Sequence, residues 1–357
     1  MKPSDPRLIE EPPLTEFTEA VRKARMIAWY RTPVPTAELK RLHERSDWLG
    51  AVQTVGYLLV LVGLGVAACV SLGRLPWWGV AGLLFAYGTV AHFLINGVHE
   101  LGHGTVFRTK GLNSFFCHVL AFPGWINHEM FQASHVRHHR YTLHAPDDLE
   151  VVQPVKLVVR DFIKGAVFNP LALWNAVKGV VRIARGRFEG EWELTLFPPG
   201  QPEKRHAAMR WARVMLAGHA TVFVVSMATG AWLVPVVVSG GYTIGGWLFW
   251  LCNNTQHVGL QDDVPDFRLC CRTFTLNPAV RFLYWQMNYH TEHHMYAAVP
   301  CYRLAELHGL VKHDLPPTPD GLVAVWREIT AILRKQAREP DCRHVPALPG
   351  ERASVRS

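Results

Sequence analysis

From Ala51 to Gly73 the chain carries no charged side chain, and after a lone Arg74 a second uncharged run extends from Leu75 to His99. Each run is long enough, as a helix, to cross a hydrocarbon layer of ~30 Å. A third uncharged tract, Val214 to Gln261, is 48 residues long, too long for one span and suited to two spans with a turn between them. Gly230 and the Pro235 to Gly241 segment are both turn candidates. Inside a bilayer every backbone group must be satisfied within the chain, so such tracts restrict the fold to helices or a closed barrel. The expected architecture is an all-α integral membrane protein with four transmembrane helices at about 51–73, 75–98, 214–230 and 232–252, in two hairpins.

Lysine and arginine set the expected orientation. Nine of the 37 fall in residues 1–50, fifteen in 100–213 and twelve after 257, which leaves Arg74 alone on the other side. The positive-inside rule then puts both termini, an N-terminal segment 1–50 and a C-terminal helix and flexible tail 311–357, in the cytoplasm with the long central segment. The first fifty residues lack the short apolar core of a secretory signal, so the first span is the expected targeting signal. Seven cysteines without a CxxC pair fit a reducing compartment and give no disulfide framework. Gly111 to His128 is uncharged and broken by Pro123-Gly124, and reads as re-entrant or interfacial. Residues 151–187 alternate apolar runs with lysines and arginines, a pattern for helices lying on an anionic membrane surface or on a soluble cap. No internal repeat, Walker loop or dinucleotide fingerprint is present, and nothing points to nucleic acid.

Against this background the chain writes His99-Glu100-Leu101-Gly102-His103, then His135-Val136-Arg137-His138-His139, then His290-Thr291-Glu292-His293-His294. Residues three and four apart lie on one helix face, so each box can aim two or three imidazoles at a common point. Imidazole is the commonest metal ligand, whereas isolated histidines such as His43, His118, His206 and His308 read as surface or satisfied core residues. The first box directly follows the second span and His257 follows the fourth, while the two HxxHH boxes lie in cytoplasmic segments that can fold back over those ends, so the ligands can gather at one membrane face under a helical cap. Asn253, four residues before His257, can share its helix face and hold a metal-bound water, with helix capping by the asparagines as the alternative. Nine imidazoles exceed the needs of one metal and suit two, with open positions for an incoming molecule. An open, nitrogen-rich site suits iron and oxygen chemistry, although ligand type alone leaves zinc open. Glu100 and Glu292 face away from the histidines within their boxes and can tune them from behind, or be salt-bridged or solvated.

The order HxxxH, HxxHH, HxxHH with paired hairpins resembles the membrane fatty-acid desaturase and hydroxylase superfamily over about residues 50–310. The resemblance implies a non-haem diiron centre, O2 as co-substrate and an external supply of electrons. It carries the ligand role to His99, His103, His135, His138, His139, His290, His293 and His294, and, by likeness to the acyl-CoA branch, links Asn253 and His257 to the site. The first box has three intervening residues where that branch commonly has four. Asn288-Tyr289-His290 and Glu292-His293-His294 are more similar to the sphingolipid and acyl-lipid branches.

The expectation is therefore O2-dependent oxidation of an unactivated C–H bond, foremost desaturation of a fatty-acyl or other lipid-like chain, with 51–310 as the catalytic unit. Hydroxylation, or a small non-lipid metabolite as substrate, is the alternative on the same scaffold. His99-Glu100-x-x-His103 also matches the zincin signature of a membrane zinc protease, which leaves six box histidines unused. A metal carrier needs histidines along a path through the bilayer, and only His92 and His219 lie inside spans. No fused cytochrome b5, flavin or nicotinamide motif is present, so a separate donor, a ferredoxin or cytochrome b5 type with its reductase, is expected on the basic face. Residues 28–33, Ala-Trp-Tyr-Arg-Thr-Pro, are a candidate gate or lining of the site.

Overall fold

The computed structural model describes residues 26–155, 157–339 and 342–349. Among them every regular element is helical, and β pairing is confined to isolated bridges such as Phe168 with Ile244. In chain order the α-helices are α1 Thr36–Leu42, α2 Asp47–Val70, α3 Trp77–Ala91, α4 Leu94–Gly102, α5 Lys110–Ala121, α6 His128–Tyr141, α7 Val159–Val167, α8 Pro170–Ala184 and α9 Gly190–Leu196. They continue with α10 Pro202–Ala228, α11 Leu233–Gly240, α12 Trp247–Asn253, α13 Phe267–Cys270, α14 Pro278–Leu283, α15 His290–Met295, α16 Leu304–Val311 and α17 Gly321–Arg338.

Three helical stretches are long and apolar enough to cross a membrane: Asp47–Ser71, Trp77–Gly102 and Pro202–Ala228. The first begins at Ser46, whose side chain accepts from the Leu49 amide, and ends before Gly73 at φ +74°. That glycine makes the turn a hairpin needs. Trp77 and Trp78 lie exposed just after it, an arrangement that suits the polar boundary of a bilayer. Tyr57 then ties the hairpin together by donating to the Val90 carbonyl at 2.8 Å. The second stretch bends at His92-Phe93, so the first histidine box sits on a separate short helix, α4. Leu59, Val62 and Val66 on the outer face of α2 stay exposed, which in a membrane is the face that meets lipid.

The expected fourth span, 232–252, is not one helix. After Ala228 the chain turns at Gly230 (φ +72°), which decides between the two turn candidates, and then forms α11, a 3-10 turn over Gly241–Thr243, and α12. The break has a steric cause. Gly245 adopts φ +72°, and a Cβ on Gly88 of α3 would lie 2.0 Å from the Ile244 carbonyl oxygen, so two backbones touch where side chains cannot fit. The backbone groups freed there are satisfied by the central segment: Asn169 donates to the Thr243 carbonyl at 2.8 Å and Gly245 to the Val167 carbonyl at 3.0 Å. Irregular backbone at membrane depth is tolerated when protein covers it in this way.

The remaining helices include the amphipathic α7, α8 and α17, and one buried core joins Phe267, Phe274, Trp285, Leu304 and Ile329 to Tyr57, Leu61 and Tyr87 of the first hairpin. The uncharged stretch after Lys110 becomes α5, 12 residues and only ~18 Å long, too short to span. It packs along α4 and leaves Phe115 exposed. Of the segments expected at the termini, residues 1–25 and 350–357 lie outside the described residues.

Candidate metal centre

All nine histidines singled out by spacing converge, as two groups whose ligand atoms lie within 4.8 Å of one another. One group is His99, His103, His135, His139 and His293; the other is His138, His257, His290 and His294. Helix geometry explains the division. Along α6, positions i and i+4 (His135, His139) differ by about 40° in direction and join one group, while i+3 (His138) turns about 60° the other way and joins the second. On α15 the same pattern sends His290 and His294 to the four-histidine group and His293 across to the other. Each HxxHH box therefore splits two to one instead of aiming at a single point.

The expectation that Asn253 and His257 share a helix face is corrected. Helix α12 ends at Asn253, Asn254 closes it by donating from Nδ2 to the Trp250 carbonyl at 2.9 Å, and His257 stands beyond it in a run of turns. It is the carbonyl of Cys270, accepting from His257 Nδ1 at 2.8 Å, that aims this imidazole.

Five of the nine share that device, an outward Nδ1 held by an acceptor, whereas Nδ1 of His139, His290 and His293 is buried without a hydrogen-bond partner. His99 Nδ1 donates to Glu100 Oε1 at 2.9 Å, His135 Nδ1 to Glu150 Oε1 at 2.9 Å and His138 Nδ1 to Asp148 Oδ2 at 2.8 Å. The Thr142 hydroxyl gives its proton to the His138 carbonyl at 2.6 Å and accepts from His294 Nδ1 at 3.2 Å. With Nδ1 protonated, Nε2 is left as a lone pair facing inward. His290 Nε2 lies 2.9 Å from His257 Nε2 and 3.1 Å from His294 Nε2, and His293 Nε2 lies 3.1 Å from His139 Nε2. Two nitrogens bound at right angles to one metal at about 2.1 Å are about 3.0 Å apart, so this crowding has the dimensions of a coordination shell. The buried Nε2 atoms of His103 and His135 have no hydrogen-bond partner, a costly state that a cation would relieve. The residues present thus fit a pair of metal ions.

Burial also sets the charge state. It pushes His103 down to about 4 and His257 to about 3, and holds His135, His139, His290, His293 and His294 well below the ordinary imidazole range. Their imidazoles are therefore neutral at physiological pH, the form in which imidazole can accept a metal ion. His138 is the exception: burial opposes its protonation, yet the bond to Asp148 and that carboxylate's charge outweigh it and raise the value. Asp148 is correspondingly lowered, its pairing with His138 overcoming burial.

Neither glutamate inside a box is solvated. Glu100 is fully buried, and besides holding His99 it lies 3.6 Å from His293 Nδ1, so it backs the five-histidine group from two sides. Glu292 is equally buried but turned away: it accepts from Thr273 Oγ1 and pairs with His308. His308 is therefore a satisfied histidine, as its isolation in the sequence implies.

Sequence reasoning missed Asp148, Glu150, Thr142 and the Cys270 carbonyl. The acidic run Asp147-Asp148-Leu149-Glu150, just past the second box of a basic chain, is the signal that was there to be used. Segment 28–33 packs on the outside of the site: Trp29 stacks on Phe267 at 4.1 Å, and Phe267 lies 5.4 Å from His294. Tyr30 and Thr32 anchor it by donating to Asp314 at 2.7 and 2.8 Å. An apolar cavity of about 490 Å³ lies elsewhere, among Trp125, Phe168, Leu216, Phe223 and Ile244. None of the nine histidines lines it.

A family sequence model described as Fatty acid desaturase matches residues 75–326, a stretch that contains all three boxes and His257. No curated protein matches the chain.

Proposed function

Because the chain belongs to the fatty acid desaturase family, we propose that it is a membrane-bound diiron oxidoreductase that removes two hydrogens from an unactivated position of a fatty-acyl or similar lipid chain. The overall balance takes one O2, two electrons and two protons, and yields the alkene and two molecules of water. The observation that carries this reading is the convergence of nine histidines into groups of five and four. Bound there, the iron pair supplies oxidation of a C–H bond that has no acidic proton for a side chain to remove.

The protein's part is to hold and to exclude. Glu100, Glu150, Asp148, Thr142 and the Cys270 carbonyl fix the tautomer and direction of five imidazoles, so that little reorganisation is needed as charge changes at the site. His99, His135, His138, His257, His290, His293 and His294 are buried, whereas His103 and His139 are only partly so. The open side of the five-histidine group is then where substrate and O2 approach. Positioning of the chain against that side selects the carbon attacked.

The His-Glu-x-x-His protease reading does not suit this geometry. Glu100, which would have to activate water, is fully buried and engaged with His99, and the six other box histidines and His257 complete the same two groups. Electrons come from a separate donor protein at the cap, and both termini and the site face the cytoplasm in this reading. The test is incubation of the purified, iron-loaded protein with donor, O2 and a panel of lipid substrates, followed by mass analysis. Products with two hydrogens fewer support desaturation, and products with one oxygen more support hydroxylation. Peptide cleavage with zinc and no O2 requirement contradicts both.

A further inference from the structure

Away from the histidines, α17 presents an amphipathic face that the redox reading leaves unused. Val325, Ile329 and Ile332 are buried on one side of the helix. On the other side, Val323, Arg327, Thr330 and Arg334 fall within about 60° of one direction, by the 100° advance per residue. With Leu251, Leu322 and Trp326 they line an open groove of about 530 Å³. Its floor is apolar and its rim carries two arginines, both exposed. Neither arginine makes an ion pair among the described residues.

The position of the groove says what meets it. Leu251 belongs to the last turn of the third apolar tract, two residues before the helix ends at Asn253. Trp326 donates from Nε1 to the Leu251 carbonyl at 2.9 Å, and its ring stacks on Trp250 at 5.4 Å. Trp250 in turn meets Phe162 of α7 at 4.6 Å, and that helix exposes Val159 and Ile163 beside Arg160 and Lys164. Tryptophans with a fringe of cations mark the boundary between hydrocarbon and headgroups. Arg327 and Arg334 are about 10 Å apart along the helix axis, close enough for two long side chains to converge on one phosphate held also by Thr330. Guanidinium matches phosphate geometry better than ammonium does.

We propose that this groove binds one anionic phospholipid of the surrounding bilayer, its phosphate on Arg327, Thr330 and Arg334 and an acyl chain over Leu251, Val323 and Trp326. The site is a docking point for a structural lipid, and it rests on the membrane placement of the chain, not on the oxidation chemistry. Such a lipid fixes α17 against α12 and so steadies the turns that carry His257.

The experiment is native mass spectrometry of the full-length, delipidated protein in detergent, titrated with phosphatidylglycerol or with phosphatidylcholine of the same chains. The expected result is one retained phosphatidylglycerol, preferred by roughly tenfold or more, because both lipids offer the phosphate but the choline cation of phosphatidylcholine offsets its charge and opposes the two arginines. That preference should vanish in Arg327→Gln/Arg334→Gln and persist in Lys335→Gln, whose side chain points off the groove face. Thermal unfolding should rise with phosphatidylglycerol in the wild type and not in the double variant, and inorganic phosphate should not reproduce the rise. Equal retention of both lipids, an unchanged preference in the double variant, or full stabilisation by phosphate alone overturns the proposal. If the double variant is unstable, Arg327→Lys/Arg334→Lys replaces it and should weaken the preference while keeping the charge.

Discussion

The two histidine groups are built from the same boxes but supported differently. The five-histidine group takes both histidines of the first box, two of the second and one of the third, and two of its members are partly exposed. The four-histidine group takes one from the second box, two from the third and His257 from a turn, and all four are buried. Behind the first stand two glutamates, Glu100 and Glu150. Behind the second stand one buried aspartate, a threonine hydroxyl and a backbone carbonyl. The difference separates a group that is open and has ligands to spare from one that is closed and has none.

The largest effect expected from this contrast is on metal content. His257→Ala leaves the four-histidine group with three ligands and should lose its ion, whereas His103→Ala leaves four in the other group and should retain more metal. Both should abolish turnover, since the reaction needs the pair. Equal losses of metal in the two variants would erase the distinction drawn between the groups.

Next come the carboxylates. Asp148→Asn removes the charge that orients His138 from a fully enclosed position, and should weaken metal binding roughly 10–100-fold. Glu150→Gln should cost less, because Glu150 is partly exposed and its other oxygen is already engaged by Ser134 at 2.6 Å. Competition with a chelator during dialysis gives both values. The order reversed would mean that the open group, not the closed one, depends on its backing.

A smaller effect distinguishes the two glutamates inside boxes. Glu292→Gln breaks the Thr273 and His308 contacts and should lower stability by about 1–3 kcal/mol while leaving metal content unchanged. Glu100→Gln should lower metal content. Thr142→Val sits at the bottom of the series, with about 1 kcal/mol at stake in one neutral hydrogen bond to His294. A calorimetric scan alongside metal analysis separates all three.

The histidines were legible because helix periodicity is local: three and four residues are enough to gather imidazoles on one face. How the boxes divide between two groups follows from the same periodicity, yet only once two helices have been set opposite each other. The carboxylates were not legible in that way. Asp148 reaches back ten residues to His138 through a loop, and Glu150 reaches fifteen to His135, spacings that no helix imposes. His257 is aimed by a backbone carbonyl, which has no sequence signature at all. In the membrane region the first two apolar runs each became one long helical stretch, the second with a bend at His92-Phe93 that hydropathy does not mark. The fourth segment did not, since its apolar run hides the contact of Gly88 with Ile244 that forces the helix to break.

The central claim is that two separate metal ions occupy these groups. Its most direct test is metal content per chain in detergent-purified protein from cells supplied with iron and zinc, with His138→Ala measured beside it. The account predicts about two irons per wild-type chain, one for each histidine group, and loss of the ion of the four-histidine group in the variant. A single zinc, no iron and no change in His138→Ala would contradict it.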